Sequence, residues 1–300
     1  MMAARFRVTL LGTGVPIPHP RRFGPATLIE AGDQTILIDA GRGVTIRLFQ
    51  LGIPIGRIDA LLLTHFHSDH TVGIPDLWLT GWLSSYFAAR RRPFHVVGPA
   101  GTRTLMRHLE AAYSRDVEIR IADEKLSREH AAVTTHEFDE DGVVYEAGGL
   151  RVTAFTVDHG AAITPACGYR IEYGNHSAVI SGDTRYNENV VRFGTGADLL
   201  IHEVAMAPRE LLDDASIQRI LNHHTGPREA GLVFARARPG LAAYTHLVLL
   251  AGENIAAPST LELIAQTRET YDGPLEVGED LMSFEIADGV TVRRPTRTSS

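Results

Sequence analysis

The stretch 61–76, LLLTHFHSDHTVGIPD, constrains this chain more than any other. His65, His67, Asp69 and His70 form an H-x-H-x-D-H loop directly after an apolar run. Imidazole and carboxylate are ligand types that Zn²⁺ takes, and a water-exposed turn has no use for three histidines. The preceding segment 58–64, IDALLLT, reads as a buried strand that delivers all four side chains to one place. A metal site is therefore favoured over a histidine-rich surface turn.

The same arrangement recurs along the sequence. Short apolar strands are predicted over 6–11, 34–38, 58–64, 94–97, 150–157, 177–180, 198–201 and 241–245. Asp39 follows TILI, His159 follows TAFTVD, Asp183 follows AVISG, His202 and Glu203 follow DLLI, and His246 follows LAAYT. A single such residue at a strand end is usually a turn or a satisfied polar group, but the recurrence favours a shared site beyond the strand ends of an α/β protein. Helices are predicted between the strands, over 44–51, 75–89, 102–113, 227–237 and 259–271. Segments 143–157 and 168–180 read as antiparallel strand pairs, so the sheets should be mixed.

Three hundred residues at 44% hydrophobic can bury a sizeable core, and no Pro/Gly/Ser-rich linker divides them. One domain over 1–292 is expected, followed by a disordered polar tail, 293–300. No secretory h-region and no membrane-length apolar run is present, so a soluble, cytoplasmic protein is expected. The lone Cys167 excludes an intrachain disulfide and reads as a small buried thiol rather than a nucleophile. A net charge of -7 repels polyanions, so nucleic acid is not favoured as a partner. The run Arg90-Arg91-Arg92 reads as a solvated helix cap. Gly12-Thr13-Gly14 lacks the third glycine of a dinucleotide fingerprint and is followed by Pro16 and Pro18, so it reads as a tight turn near the site.

The ordered set of Asp39, HFHSDH, His159, SGDT, HE, HHT and TH resembles the metallo-β-lactamase superfamily, in the branch containing RNase Z and the related arylsulfatases and phosphodiesterases. The resemblance covers nearly the whole chain. It implies an α/β fold, the αββα sandwich of two mixed sheets flanked by helices, with a dinuclear zinc centre at one edge. His65, His67 and His159 would hold one metal, Asp69, His70 and His246 the other, and Asp183 would bridge them. Manganese or iron can replace zinc in such a ligand set. Asp39 would stand behind a ligand histidine and fix its orientation. A solvent hydroxide between the metals would attack the substrate, with Asp69 taking part in catalysis. His224, in an H-[ST] motif, would protonate the leaving group with Glu203 as its carboxylate partner, unless it merely caps the helix starting at Pro227. His223 would have a solvent-facing or supporting role.

The sequence departs from tRNA-processing RNase Z in three places. Those proteins usually insert a long arm between the residues matching His159 and Asp183, which in this chain are only 24 positions apart; HEAT becomes HEVA; and the arginine following the TH motif is missing. Trp78, Trp82, Tyr86 and Phe87 lie beside the metal loop and resemble the arylsulfatase-like branch, with Trp78 and Trp82 as core or pocket wall. The expected function is hydrolysis of an ester-type bond in a small aromatic or anionic substrate, a phosphodiester or aryl sulfate before others. The alternatives are a transfer-RNA 3′ endonuclease, a lactonase or related hydrolase, and a non-enzymatic metal protein. Family members are often homodimers, and the sequence fixes no oligomeric state.

Overall fold

The computed structural model describes residues 6–295. The first half of the chain forms β1 (Phe6–Gly12), β2 (Ala26–Ala31), β3 (Gln34–Ile38), β4 (Ala60–Leu62), β5 (Phe94–Pro99) and β6 (Val133–Phe138). The second half forms β7 (Gly142–Ala147), β8 (Leu150–Thr156), β9 (Cys167–Tyr173), β10 (His176–Ile180), β11 (Leu199–Met206), β12 (Leu241–Leu249) and β13 (Leu275–Val277). The chain then returns with β14 (Ser283–Ala287) and β15 (Gly289–Arg293). One sheet has the order β15-β14-β1-β2-β3-β4-β5-β6 and the other β13-β12-β11-β10-β9-β8-β7. Both are mixed: β3 to β6 run parallel beside antiparallel β1 to β3, and β10 to β13 run parallel beside antiparallel β7 to β10. The expected antiparallel pairs are β7–β8 and β9–β10.

Period-two alternation sorts the apolar residues into layers. In β4 and the residue after it, Leu62 faces the partner sheet, while Leu61 and Leu63 face the helices. Leu199 and Ile201 likewise point inward and Leu200 outward. The helices are α1 (Val44–Gln50), α2 (Ser68–Thr71), α3 (Ile74–Trp82), α4 (Thr102–Ala112), α5 (Ser114–Glu124), α6 (Arg128–Ala131), α7 (Glu188–Gly194), α8 (Ala215–Leu221), α9 (Pro227–Ala237) and α10 (Thr260–Thr267). Residues of α1, α3 and α4 cover the outer face of the first sheet, and residues of α7, α9 and α10 cover that of the second. The four layers are the αββα sandwich that the sequence implies.

Two expectations are corrected here. The helix predicted over 75–89 stops at Trp82, because Leu83 turns extended and the chain folds back, with Arg90 N–H donating to Gly81 O at 2.8 Å. Arg90 is then not a solvated cap. It is 2% exposed, and its guanidinium donates to Trp78 O at 2.9 Å, His130 O at 3.2 Å and Arg92 O at 3.2 Å. It ties the C-terminal part of α3 to the chain around His130 and Arg92. Burial, with Arg92 nearby, brings its pKa down to about 10. Of the expected tail 293–300, Arg293 belongs to β15, and 296–300 lie outside the described residues. Among the described residues, no helix is long and apolar enough to cross a membrane.

Candidate metal centre

Parallel strands bring their carboxyl ends to one edge, and the donors follow from that. Asp39 comes directly after β3 with a left-handed backbone (φ 61), beside Thr64 beyond the end of neighbouring β4. The one-turn helix α2 then turns Asp69 and His70 inward. On the second sheet, His159 follows β8 and Asp183 follows β10. Gly182 permits the latter: its φ is +62, and a Cβ there would stand 2.4 Å from Cys167 O. His246 does not follow a strand, as the sequence suggests; β12 continues to Leu249. Glu203 pairs with Thr245 and Val204 with Leu247, so His246 is the extra residue of a bulge, at φ 42. A bulge re-aims one side chain without ending the strand.

Hydrogen bonds fix which nitrogen His65, His70 and His159 present. Asp39 accepts Thr64 N–H (2.9 Å), Thr64 Oγ1–H (2.8 Å) and His70 Nδ1–H (2.8 Å). The Thr64 hydroxyl has given its proton to Asp39, so it can only accept from His65 Nδ1, at 3.0 Å. The His223 carbonyl accepts from His159 Nδ1 at 2.7 Å. In a neutral imidazole with Nδ1 protonated, Nε2 carries a lone pair. The pKa of His159 is brought down to about 4, chiefly by burial. Burial, together with His70, holds His65 well below its ordinary value.

These lone pairs converge. His65 Nε2 lies 3.0 Å from His67 Nδ1, which is 3.3 Å from His159 Nε2. Asp183 Oδ2 lies 3.3 Å from His70 Nε2 and from His246 Nε2, and 3.9 and 3.8 Å from the Nε2 atoms of His65 and His159. Two atoms bound at 2.0–2.2 Å to one tetrahedral cation are about 3.4 Å apart. Three acceptor nitrogens turned inward, with the buried His70 Nε2 lacking any hydrogen-bond partner, form a set that a cation completes. The donor atoms of His65, His67, His159 and Asp183 lie within 4.8 Å of one another, as do those of Asp69, His70 and His246. Burial opposes the charge of Asp183, but His246 and His70 outweigh it and hold the carboxyl well below the usual range.

Beside this cluster, His224 Nδ1 lies 3.2 Å from Glu203 Oε2, short of good hydrogen-bond alignment. Glu203 Oε1 accepts from Thr225 N at 3.0 Å and Thr184 N at 3.3 Å, so the carboxylate is held from behind. Burial disfavours the His224 imidazolium, yet Glu203 more than offsets this and raises its pKa to about 9. Donor atoms of His224, Asp183 and His246 come within 4.8 Å of one another. His224 does not cap α9; Gly226 is the cap residue, and its N–H donates to Glu229.

Trp78 and Trp82 do not wall this site. Both are 1% exposed within the core outside the first sheet, and their indole N–H groups donate to Ala131 O (2.8 Å) and Ser127 O (3.0 Å), in and just before α6. The shared helical face is core. Cys167 is buried, its Sγ 3.3 Å from Thr64 O, and burial raises its pKa. The turn at Thr13 does approach the centre: its carbonyl accepts from Leu247 N, next to His246. His19, His95, His108, His130, His136 and His176 belong to none of the donor groups. Sequence reasoning gave no role to Thr64, Thr184 and Thr225, which orient the charged residues, although Thr184 and Thr225 lie within the SGDT and HHT motifs.

Layered helices and mixed sheets with this histidine–aspartate cluster at one edge define the metallo-β-lactamase-fold hydrolases. Residues 34–247 match the family described as "Beta-lactamase superfamily domain". Ribonuclease Z of Mycobacterium marinum is 35% identical over 284 residues, 93% of this chain and 98% of that protein. Ribonuclease Z of Mycolicibacterium gilvum is 36% identical over 291 residues, covering 95% and 98%. Among solved structures, the metallo-beta-lactamase fold protein YhfI of Bacillus subtilis aligns with a TM-score of 0.71 at 22% identity, covering 94% of this chain and 99% of that one. The short form of human tRNase Z aligns at 0.68 and 21%, covering 92% and 98%. This chain belongs to the metallo-β-lactamase superfamily, in the branch of its ribonuclease Z relatives, and it is an enzyme, a metal-dependent hydrolase.

Proposed function

We propose that the protein is a phosphodiesterase with a dinuclear zinc centre that cuts an RNA strand, as its ribonuclease Z relatives do by name. His65, His67 and His159 would hold one ion, Asp69, His70 and His246 the second, and Asp183 would join them. When bound, the ions would supply Lewis acidity for phosphoryl oxygens and a water activated at neutral pH. Asp69 would accept a hydrogen bond from the attacking water and so orient it. His224 holds a proton on the ring edge facing Asp183 and passes it to the departing oxygen, while Glu203 stabilises the imidazolium from behind.

The observation that carries this reading is the buried His224–Glu203 pair beside the shared carboxylate. A ribose alkoxide is a poor leaving group and needs that proton; a nitrophenolate does not. The dyad therefore favours RNA over the aryl sulfate alternative. The relatives weigh against the expectation that nucleic acid is no partner, which rested on net charge and the missing arm. A second reading, a small anionic diester, is favoured by the segment between His159 and Asp183, which is only a short loop and the β9–β10 hairpin. The test is cleavage of a precursor tRNA with a 3′ trailer against bis-p-nitrophenyl phosphate and p-nitrophenyl sulfate. Trailer removal at a defined position supports the RNA reading, turnover of the small diester alone selects the second, and sulfate turnover alone rejects both.

A further inference from the structure

We propose that His223 is a substrate-contacting residue, donating from its ring to a non-bridging oxygen of the phosphoryl group on which His224 acts. The inference rests on the phosphodiesterase reading above. The main chain of His223 is committed: its carbonyl accepts His159 Nδ1–H, and its N–H donates to Ile220 O at 3.2 Å. Its ring is held as firmly. The ring centroid stands 5.1 Å from that of His159, nearly perpendicular at 86°, and 4.7 Å from that of His224. Gly160, at φ +99, passes so close that a Cβ there would be 3.2 Å from His223 Cβ.

Among the described residues, neither ring nitrogen of His223 has a hydrogen-bond partner in the protein. His65, His70, His159, His224 and His246 are buried; only His67 and His223 of the gathered histidines are partly open to solvent. His67 turns its Nδ1 into the cluster, so of these two partly open histidines His223 is the one with both ring nitrogens unused. A fixed imidazole loses little freedom when it binds a ligand, so its hydrogen bond adds to affinity almost undiminished. A simple aromatic shield over His159 and His224 would serve as well with a phenyl ring, and this separates the two roles.

The experiment titrates inorganic phosphate into the zinc-loaded protein by calorimetry, with zinc content measured, alongside kcat and KM for bis-p-nitrophenyl phosphate. His223→Phe should weaken phosphate binding about tenfold, as loss of one hydrogen bond to a charged oxygen does. It should raise KM and leave kcat within about twofold, while His223→Gln recovers most of the affinity. His223→Ala replaces the Phe variant if the larger ring disturbs folding. Wild-type affinity in the Phe or Ala variant, loss of zinc from it, or no phosphate binding by the wild type would each overturn the proposal. Phosphate binding that depends on His223 in a protein that cleaves no phosphodiester would instead reject the phosphodiesterase reading and leave the anion contact standing.

Discussion

Glu203→Gln is the substitution that best isolates the proposed proton donor. The glutamine oxygen can still accept from Thr184 and Thr225, so the side chain keeps its seat. Its amide then points N–H groups at His224 Nδ1, which must become an acceptor, and the ring goes neutral. With Glu203 the His224 pKa is about 9; without that carboxylate it returns to at most the ordinary 6.5, since burial pulls it down. At pH 8 the protonated fraction falls from about 0.9 to about 0.03, a loss of roughly thirtyfold. At pH 5.5 both forms are largely protonated and the difference shrinks to about 1.1-fold. A proton donor loses activity as pH rises through its pKa, so the alkaline limb of kcat should move down by about 2.5 units. The assay is a kcat–pH profile of zinc-loaded wild type and variant on a substrate with an alkyl leaving group. Parallel profiles with a constant ratio from pH 5.5 to 8 would refute the assignment. A substrate with a nitrophenolate leaving group should show little of the effect, because it departs unprotonated.

Further outcomes follow from other parts of the structure. Chelation should lower the melting temperature and zinc should restore it, since inward lone pairs at 3.0–3.3 Å repel one another without a cation; an unchanged melting curve would exclude a resident metal. Trp78→Ala should cost about 3–5 kcal/mol of stability and leave KM unaltered, as a core residue does; a KM change at preserved stability would restore the pocket-wall reading. Arg90→Met removes the donors to the carbonyls of Trp78, His130 and Arg92 and should destabilise by about 2–4 kcal/mol in denaturant melts, whereas a solvated arginine would cost nothing measurable. Gly182→Ala should displace Asp183 and cut zinc affinity, read by competition with a chromophoric chelator; wild-type affinity would show that the backbone relaxes around the Cβ.

The cluster was legible because it is built from strand ends. Asp39, His159 and Asp183 each stand where an apolar run stops, and strands that run in the same direction carry such positions to one edge whatever the intervening segments do. Glu203 and His224 were legible only through the family resemblance, since a lone HE or HHT has no physical signature. The bulge at His246 escaped detection because an inserted residue is defined by the partner strand, not by its own neighbours. The aromatic segment 78–87 escaped for a related reason. A helical stripe announces a buried face but not what buries it, and the turn after Trp82 depends on Arg90, eight residues on.

The donors come from both halves of the sandwich: His65, His67, Asp69 and His70 from the first sheet, His159, Asp183 and His246 from the second. A chain emerging from the ribosome holds the H-x-H-x-D-H loop early, but the carboxylate shared between the two groups exists only after β10, and the last ligand only once β12 has bulged against β11. The complete donor set is thereby assembled only when both sheets are in place, so the candidate metal centre is a property of the finished fold and of no single stretch of the sequence.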